Sequence, residues 1–147
     1  MNDLYEKNGY TISTDKSLLD LRLIHDFLRN AYWSPNIPYK DVVRAVEHSL
    51  CFGLYQGEQQ IGLARVATDF SRIAYMMDVF ILEPYRGRGL SQWLMECILA
   101  YPPLQQMPNW MLATRDAHGL YAKLGFTPLE KPEKYMHKRI SNPYGVS

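Results

Sequence analysis

Apolar residues recur along this chain with two periods, and the periods predict alternating strands and helices. Leu21, Ile24, Leu28 and Ala31 form a helical stripe, whereas alternation is typical of the segments predicted as strands. In chain order the pattern predicts a strand at 9–13, helices at 18–31 and 39–49, strands at 50–55, 60–68 and 71–82, a helix at 89–100, a strand at 110–114, a helix at 116–124, and closing strands at 126–127 and 135–139.

This order predicts an α/β (α+β) fold with a mixed, mostly antiparallel central sheet. Residues 71–114 read strand-helix-strand, which forms a right-handed parallel crossover, and the hairpin before them is antiparallel. The 147 residues are 47% hydrophobic and 21% charged, which suits one globular domain. We place that domain at 1–140 and expect 141–147, which contain Asn142, Pro143 and Gly145, to be a flexible tail.

Charge and cysteine content narrow the function classes. The formal net charge is +1, which argues against a nucleic-acid partner. No apolar run approaches the ~20 residues that cross a bilayer, and no secretory signal is visible, so we expect no membrane partner and a cytoplasmic location. Cys51 and Cys97 do not suggest a disulfide framework. The four histidines show no metal-ligand spacing, so no metal is expected.

The most informative stretch runs from Val79 to Ser91, where a strand passes through a glycine-containing turn into a helix. Gly87 and Gly89 permit positive φ angles and close approach of a ligand to the backbone. The first helical turn has no acidic residue, and Arg86 and Arg88 flank it. An unpaired helix N-terminus between two arginines favours an anion such as pyrophosphate. The alternative is a glycine turn whose arginines are simply solvated.

Two motifs resemble those of the Gcn5-related N-acetyltransferase (GNAT) family. Residues 86–91, Arg-Gly-Arg-Gly-Leu-Ser, resemble its acyl-CoA-binding signature, Gln/Arg-x-x-Gly-x-Gly/Ala, with Ser91 at the position of Gly or Ala. Residues 117–126 resemble its later Ala-x-x-x-Tyr-x-x-x-Gly-Phe motif, with Tyr121 as the tyrosine. Thr114 stands where the family often has an asparagine that contacts the cofactor. The two motifs occur in the family's order and at its spacing.

The resemblance implies the GNAT fold, with helices on both faces of the sheet, and acetyl-CoA as cosubstrate. It also implies that the pantetheine arm pairs with the backbone of the strand predicted at 71–82. The implied cofactor-binding residues are Val79, Phe80, Ile81, Arg86, Gly87, Arg88, Gly89, Leu90, Ser91 and Thr114.

Two residues are candidates for catalysis. By resemblance, Tyr121 is the general acid for the departing thiolate; the alternative is a tyrosine that only packs its ring. Strict alternation places Asp78 on the same face as Met76 and Phe80. Apolar surroundings raise the pKa of a carboxyl group towards the value that a base needs. Asp78 is therefore a candidate base, and the alternative is a structural aspartate bonded to a neighbouring strand or loop.

By resemblance, the aromatic and proline-containing segment 32–39 lies where the acceptor binds, so Tyr32 and Trp33 are candidate substrate contacts. The alternative is a loop packed on the domain. Arg115 is a candidate partner for a substrate carboxylate or an ordinary surface arginine. We expect direct transfer to a small amine, an amino-acid-like molecule or a protein amino group, by a monomer or homodimer. The alternatives are a non-catalytic acyl-CoA-binding module and a scaffold protein of the same fold.

Overall fold

The computed structural model describes residues 3–145. Within that range six strands form one sheet: β1 (Leu4–Lys7), β2 (Tyr10–Ser13), β3 (Leu50–Gln56), β4 (Gln59–Thr68), β5 (Ala74–Ile81) and β6 (Trp110–Leu112). The α-helices are α1 (Leu21–Asn30), α2 (Tyr39–Glu47), α3 (Leu90–Leu99) and α4 (His118–Ala122). None of the helices in these residues is both long and apolar enough to cross a membrane.

The strands lie in the sheet in the same order as in the chain. Neighbours from β1 to β5 are antiparallel, and β5 and β6 are parallel, joined by the crossover through α3. The predicted mixed sheet with a β-α-β crossover is therefore confirmed. Ala74, Tyr75 and Met76 pair with Trp110, Met111 and Leu112, and β5 continues to Ile81 beyond this pairing.

Helices cover both faces of the sheet, as predicted. Phe52 and Leu54 of β3 pack with α3 and α4 in one buried cluster, whereas Cys51 of the same strand packs with α1 and α2 in a second cluster. Alternate residues of a strand point to opposite faces, so β3, β4 and β5 contribute to both clusters. The side chains of α3 that become buried are Leu90, Leu94, Met95, Cys97 and Ile98.

The N-terminal strand prediction was incomplete, because residues 4–13 form a hairpin rather than one strand. Lys7 pairs with Tyr10, so the connection has the two residues Asn8 and Gly9. Both have positive φ angles, 52° and 82°, which is the requirement of a type I′ turn. An Asn-Gly dipeptide is typical of a two-residue hairpin turn, so the sequence did contain a signal for this hairpin.

The predicted closing strands at 126–127 and 135–139 do not form within the described residues. The N–H of Phe126 instead donates to the carbonyl of Tyr121 at 3.1 Å, across Gly125 at φ 96°, and so closes the end of α4. Alternation over 135–140 mixes apolar and charged residues on both faces, so neither face can be buried. Residues 127–145 are all exposed, and Met136 is 96% exposed.

The last described residues, 142–145, form a turn in which the N–H of Gly145 donates to the carbonyl of Asn142 at 3.2 Å. Val146 and Ser147 of the predicted tail lie outside the described residues. The mobility expected for 141–147 stays a prediction.

Candidate functional site

The glycine turn before α3 leaves the N-terminus of that helix open. Gly87 and Gly89 have φ angles of 78° and 76°, and Gly89 is the N-cap without a side chain that could accept from the helix. A Cβ atom added at either glycine would meet nothing within 4 Å. No acidic residue occupies the first turn, which begins with Leu90 and Ser91. Unpaired N–H groups next to open space are a suitable cradle for phosphate oxygens.

The guanidinium groups of the two arginines in this turn use only some of their N–H groups for hydrogen bonds within the protein. Arg86 donates from Nε to the carbonyl of Ile81 at 2.8 Å. Arg88 donates from Nη1 to the hydroxyl of Tyr10 at 2.6 Å and from Nη2 to the carbonyl of Pro84 at 3.2 Å. Both side chains are exposed, so their remaining N–H groups can reach an anion.

A β-bulge interrupts β5 next to the place where β5 leaves β6. Leu63 pairs with Phe80 and Arg65 pairs with Met77, so Asp78 and Val79 together face a single residue of β4. Asp78 has a φ angle of 52°, a left-handed conformation that aspartate tolerates better than most residues. The register pairs neither Asp78 nor Val79 with β4 or β6.

The bulge corrects the predicted facing of Asp78. Met76 belongs to the cluster under α3, whereas Phe80 belongs to the cluster under α1 and α2 and stacks on Phe27 with 3.9 Å between ring centroids. Asp78 lines a cavity on the α1/α2 side and therefore shares a face with Phe80 but not with Met76. One extra residue in the strand shifts the alternation, which strict periodicity cannot anticipate.

The surroundings of Asp78 are also less apolar than predicted. Its Oδ2 accepts from Nε of Arg65 at 2.8 Å, and its Oδ1 accepts from Nε1 of Trp33 at 2.9 Å. Arg65 in turn donates from Nη1 to the hydroxyl of Ser49 at 2.8 Å. The side chains of Arg65 and Asp78 are only 12% and 11% exposed. Asp78 thus has the partners, on a strand and a loop, that a structural aspartate requires.

The predicted acceptor residues lie together. The rings of Tyr32 and Trp33 meet edge to face with centroids 5.1 Å apart. The guanidinium carbon of Arg115, which follows β6, lies 3.8 Å from the centroid of the Tyr32 ring. The loop therefore reaches from Asp78 on β5 to Arg115 beyond β6, across the gap between the parallel strands. Arg115 faces an aromatic ring here, a favourable cation–π arrangement.

Tyr121, the tyrosine of the second motif, lies on α4 at the edge of the core. It is 8% exposed, its ring meets Phe126 edge to face at 5.8 Å, and burial raises its pKa. A hydroxyl with a raised pKa keeps its proton at neutral pH and is a suitable donor. Thr114 stabilises the turn before α4, because its Oγ1 accepts from the backbone N–H of Ala117 at 3.0 Å.

The other predicted cofactor contacts lie along one path. Val79 is half-buried at the bulge, while the side chains of Phe80, Ile81 and Leu90 are buried and leave only their backbone groups for a ligand. Ser91 is half-buried in the first turn of α3. The path leads from the bulge to the open end of α3.

Neither thiol suits covalent chemistry. Cys51 is 1% exposed, and burial raises its pKa to about 11. Burial also raises the pKa of Cys97, which is 7% exposed. Both cysteines are free. Within residues 3–145 no three side chains of the His, Cys, Asp or Glu type come together as a candidate metal site.

Sequence reasoning missed two residues of the site. Arg65 was predicted only as part of a strand, although a lone arginine among Leu63, Ala64 and Val66 indicates a buried partner. Tyr144, which was placed in the tail, lines the same cavity as Trp33 and Asp78.

Comparison with known proteins agrees with this geometry. Residues 47–128, more than half of the chain, match the family model of the acetyltransferase (GNAT) domain. The crystal structure of a candidate acetyltransferase of the GNAT family from Xanthomonas campestris pv. campestris is 44% identical, with a TM-score of 0.92, over 96% of this chain and 100% of that one. A candidate acetyltransferase of Gibberella zeae is 28% identical over 81% of this chain and 79% of its own.

A more distant structure shares the fold alone. It is a candidate acetyltransferase from Clostridium acetobutylicum with acetyl-CoA, 18% identical with a TM-score of 0.62, over 93% of this chain and 100% of that one. The family match spans β3 to α4, which carry the phosphate turn, the bulge and Tyr121. The chain belongs to the GNAT acetyltransferase family.

Proposed function

We propose that this chain is an N-acetyltransferase that moves an acetyl group from acetyl-CoA to a primary amine by direct attack in a ternary complex. One observation carries the proposal: β5 and β6 part after Met76 and Leu112, and the bulge at Asp78 and Val79 leaves backbone groups unpaired in the gap. An extended ligand arm can pair with such an edge as an added strand would.

The residues of the phosphate turn fit acetyl-CoA. Arg86 and Arg88 would hold the pyrophosphate together with the backbone N–H groups from Gly87 to Ser91, and the open space at Gly87 and Gly89 admits it. Val79 and Ile81 would present backbone groups to the pantetheine arm, and Thr114 lies across the gap near the end of β6. When bound, acetyl-CoA supplies a thioester, whose C–S bond is exchanged for the N–C bond of an amide.

Tyr121 is the general acid of this proposal. Burial raises its pKa, so Oη holds its proton at neutral pH and can give it to a leaving thiolate. Burial is the only cause of this shift, and Tyr121 is not among the buried side chains of residues 3–145 that lack a hydrogen-bond partner. The proton that the amine releases to water balances the one that Tyr121 donates.

For Asp78 we propose a positioning role rather than that of the base. Both of its oxygens accept hydrogen bonds, from Arg65 and from Trp33, and these bonds hold the left-handed bulge and the aromatic loop in place. The bulge in turn sets the direction of the Val79 N–H, a candidate donor to the developing oxyanion. The amine loses its proton to water in this scheme, whereas in the alternative Asp78 itself receives it.

The burial of both thiols favours direct attack of the amine on the thioester over a covalent acyl-enzyme. A covalent acyl-enzyme needs a thiolate within reach of solvent, and Cys51 keeps its proton up to a pKa of about 11. Cys97 lies on the buried face of α3. The acetyl group therefore passes to the amine without resting on the protein.

Isothermal titration of acetyl-CoA tests the first half of the proposal. The native chain should bind it, and Arg86→Ala with Arg88→Ala should weaken binding about a hundredfold or more, because each charge-assisted hydrogen bond contributes roughly 1.5–3 kcal/mol. Arg72→Ala is the matched control, since Arg72 is an exposed arginine of the loop between β4 and β5. Failure of the native chain to bind acetyl-CoA would contradict the enzyme and favour a scaffold protein.

A thiol-release assay with a panel of primary amines tests the second half. Release of coenzyme A that depends on an added amine supports the transferase. Tight binding of acetyl-CoA with no release for small amines, amino acids or peptides would instead support a non-catalytic acyl-CoA-binding module.

A further inference from the structure

A cavity that is partly open to solvent lies beside the bulge on the α1/α2 side of the sheet. It has a volume of about 190 Å³, and half of its fourteen lining residues are aliphatic, most of them from α1, α2 and β4. Trp33, Met77 and Asp78 line the end that meets the bulge. A water-sized group occupies roughly 30 Å³ in a liquid, so the cavity has room for about six such groups. It is too small for a peptide and large enough for a short chain.

The charges of the cavity favour a cation. Its charged lining residues are Asp41, Arg65 and Asp78. Arg65 forms an ion pair with Asp78 at 2.8 Å, and these two charges cancel. The carboxylate of Asp41 therefore gives the cavity wall a net charge of one negative unit. Arg115, which was a candidate partner for a carboxylate or an ordinary surface arginine, is not among the lining residues and lies over the ring of Tyr32. A carboxylate in this cavity would have no free cation to pair with.

Tyr144 lines the cavity and is itself partly exposed, so it lies where the cavity meets solvent. Every other lining residue lies between Ile24 and Asp78, so Tyr144 is the one contribution of the C-terminal segment within the described residues. It is the third residue of the turn Asn142-Pro143-Tyr144-Gly145, whose residue types match those of a type I turn. Proline restricts the backbone of this turn, so the tyrosine is presented in one place. Tyr144 is 38% exposed, so the rest of its surface is covered by the protein.

We propose that the acceptor is a primary ammonium on a short apolar chain without a carboxylate, and that Tyr144 limits the length of that chain. The ammonium is attracted by Asp41 and the apolar chain is buried against the aliphatic wall and Trp33. Tyr144 stands where a longer chain would leave the cavity. This inference rests on the proposed transfer for the identity of the reaction, but the binding that it describes is measurable without turnover.

The indole N–H of Trp33 is the probe, because it donates to Asp78 and both residues line the cavity. Its nitrogen-15 NMR signal is assigned with Trp33→Phe and followed while propylamine, pentylamine and octylamine are added in turn. Pentylamine should move the signal, and octylamine should not. The matched pair of pentylamine and 5-aminopentanoate differs only in a terminal carboxylate, and the carboxylate should weaken binding about tenfold or more.

Tyr144→Ala should let octylamine move the Trp33 signal, while Tyr135→Ala, an exposed tyrosine of the same segment, should not. No response of Trp33 to any amine, equal binding of 5-aminopentanoate, or an unchanged length limit in Tyr144→Ala would each overturn the inference. The thiol-release assay on the same amines separates the two proposals. Binding without acetyl transfer supports the cavity assignment and contradicts the transferase.

Discussion

Arg65 donates from Nε to Oδ2 of Asp78 at 2.8 Å, and this ion pair joins β4 to the bulge of β5. Both side chains are nearly buried, and Asp78 has a left-handed backbone. The second oxygen of Asp78 accepts from Trp33, so the same carboxylate also fixes the loop on the acceptor side. A single pair thus determines where the bulge points and where the aromatic loop lies.

Removing one partner of this pair should destabilise the protein. We expect Arg65→Met to lower the free energy of unfolding by about 3 kcal/mol, because it leaves a nearly buried carboxylate without its cation. Asp78→Asn keeps the size of the side chain and tolerates the left-handed backbone, so the double variant should be more stable than Arg65→Met alone. Urea unfolding of the native protein, the two single variants and the double variant measures the coupling free energy between Arg65 and Asp78. Additive losses would show that the pair contributes nothing of its own.

The turnover of the Asp78→Asn variant distinguishes the two roles of Asp78. A positioning role predicts a modest fall in kcat and an unchanged pH profile, since the amide still accepts from Trp33. A role as base predicts a loss of about a hundredfold or more, together with the loss of the acidic limb of the pH profile.

Tyr121→Phe should lower kcat by about a hundredfold or more while the Kd of acetyl-CoA stays the same. Burial raises the pKa of Tyr121, so its hydroxyl remains a proton donor through neutral and mildly alkaline pH, and activity should decline only when pH rises past the ordinary tyrosine range. The variant should lose this alkaline limb. Tyr75→Phe, a half-buried tyrosine of β5, is the control. Unchanged turnover in Tyr121→Phe would remove the assignment of the acid.

The buried thiol of Cys51 should make the protein sensitive to alkali. Its pKa rises from an ordinary 9.0 to about 11, chiefly because of burial. The folded chain therefore holds the proton more tightly than the unfolded chain, so this contribution to stability is complete below pH 9.0 and is lost as pH rises to about 11. The free energy of unfolding falls by at most about 3 kcal/mol from this cause. Tm measured from pH 8 to 11 should fall less steeply in Cys51→Ala, and parallel curves would contradict the prediction.

The fold was largely predictable because its signals are local. Helical stripes placed α1 to α3 to within a few residues, and alternation placed β3, β4 and β5. The errors have physical causes. Asn8 and Gly9 announced a hairpin that alternation alone does not show. The segment 135–139 looked like a strand by composition, yet neither of its faces is apolar enough to be buried.

The candidate site was predictable only where its residues are neighbours in the chain. The turn at 86–91 lies between a strand and a helix, so glycines, arginines and the missing acidic residue could be interpreted together. Asp78 was a different case, since its partners Trp33 and Arg65 are 45 and 13 residues away. No pattern near Asp78 specifies them.

The sequence by itself determined the β-α-β crossover, the open N-terminus of α3 and the family, because backbone preferences and hydrophobic periods act over a few residues. Only the tertiary structure decided which face Asp78 occupies, that Arg65 neutralises it, and that Tyr144 lines the cavity beside it. One extra residue in a strand shifts every later side chain to the other face, and residues distant in the chain meet only after the sheet has its register. These long-range contacts depend on the packing of the whole chain, so they could not be predicted from local residue patterns.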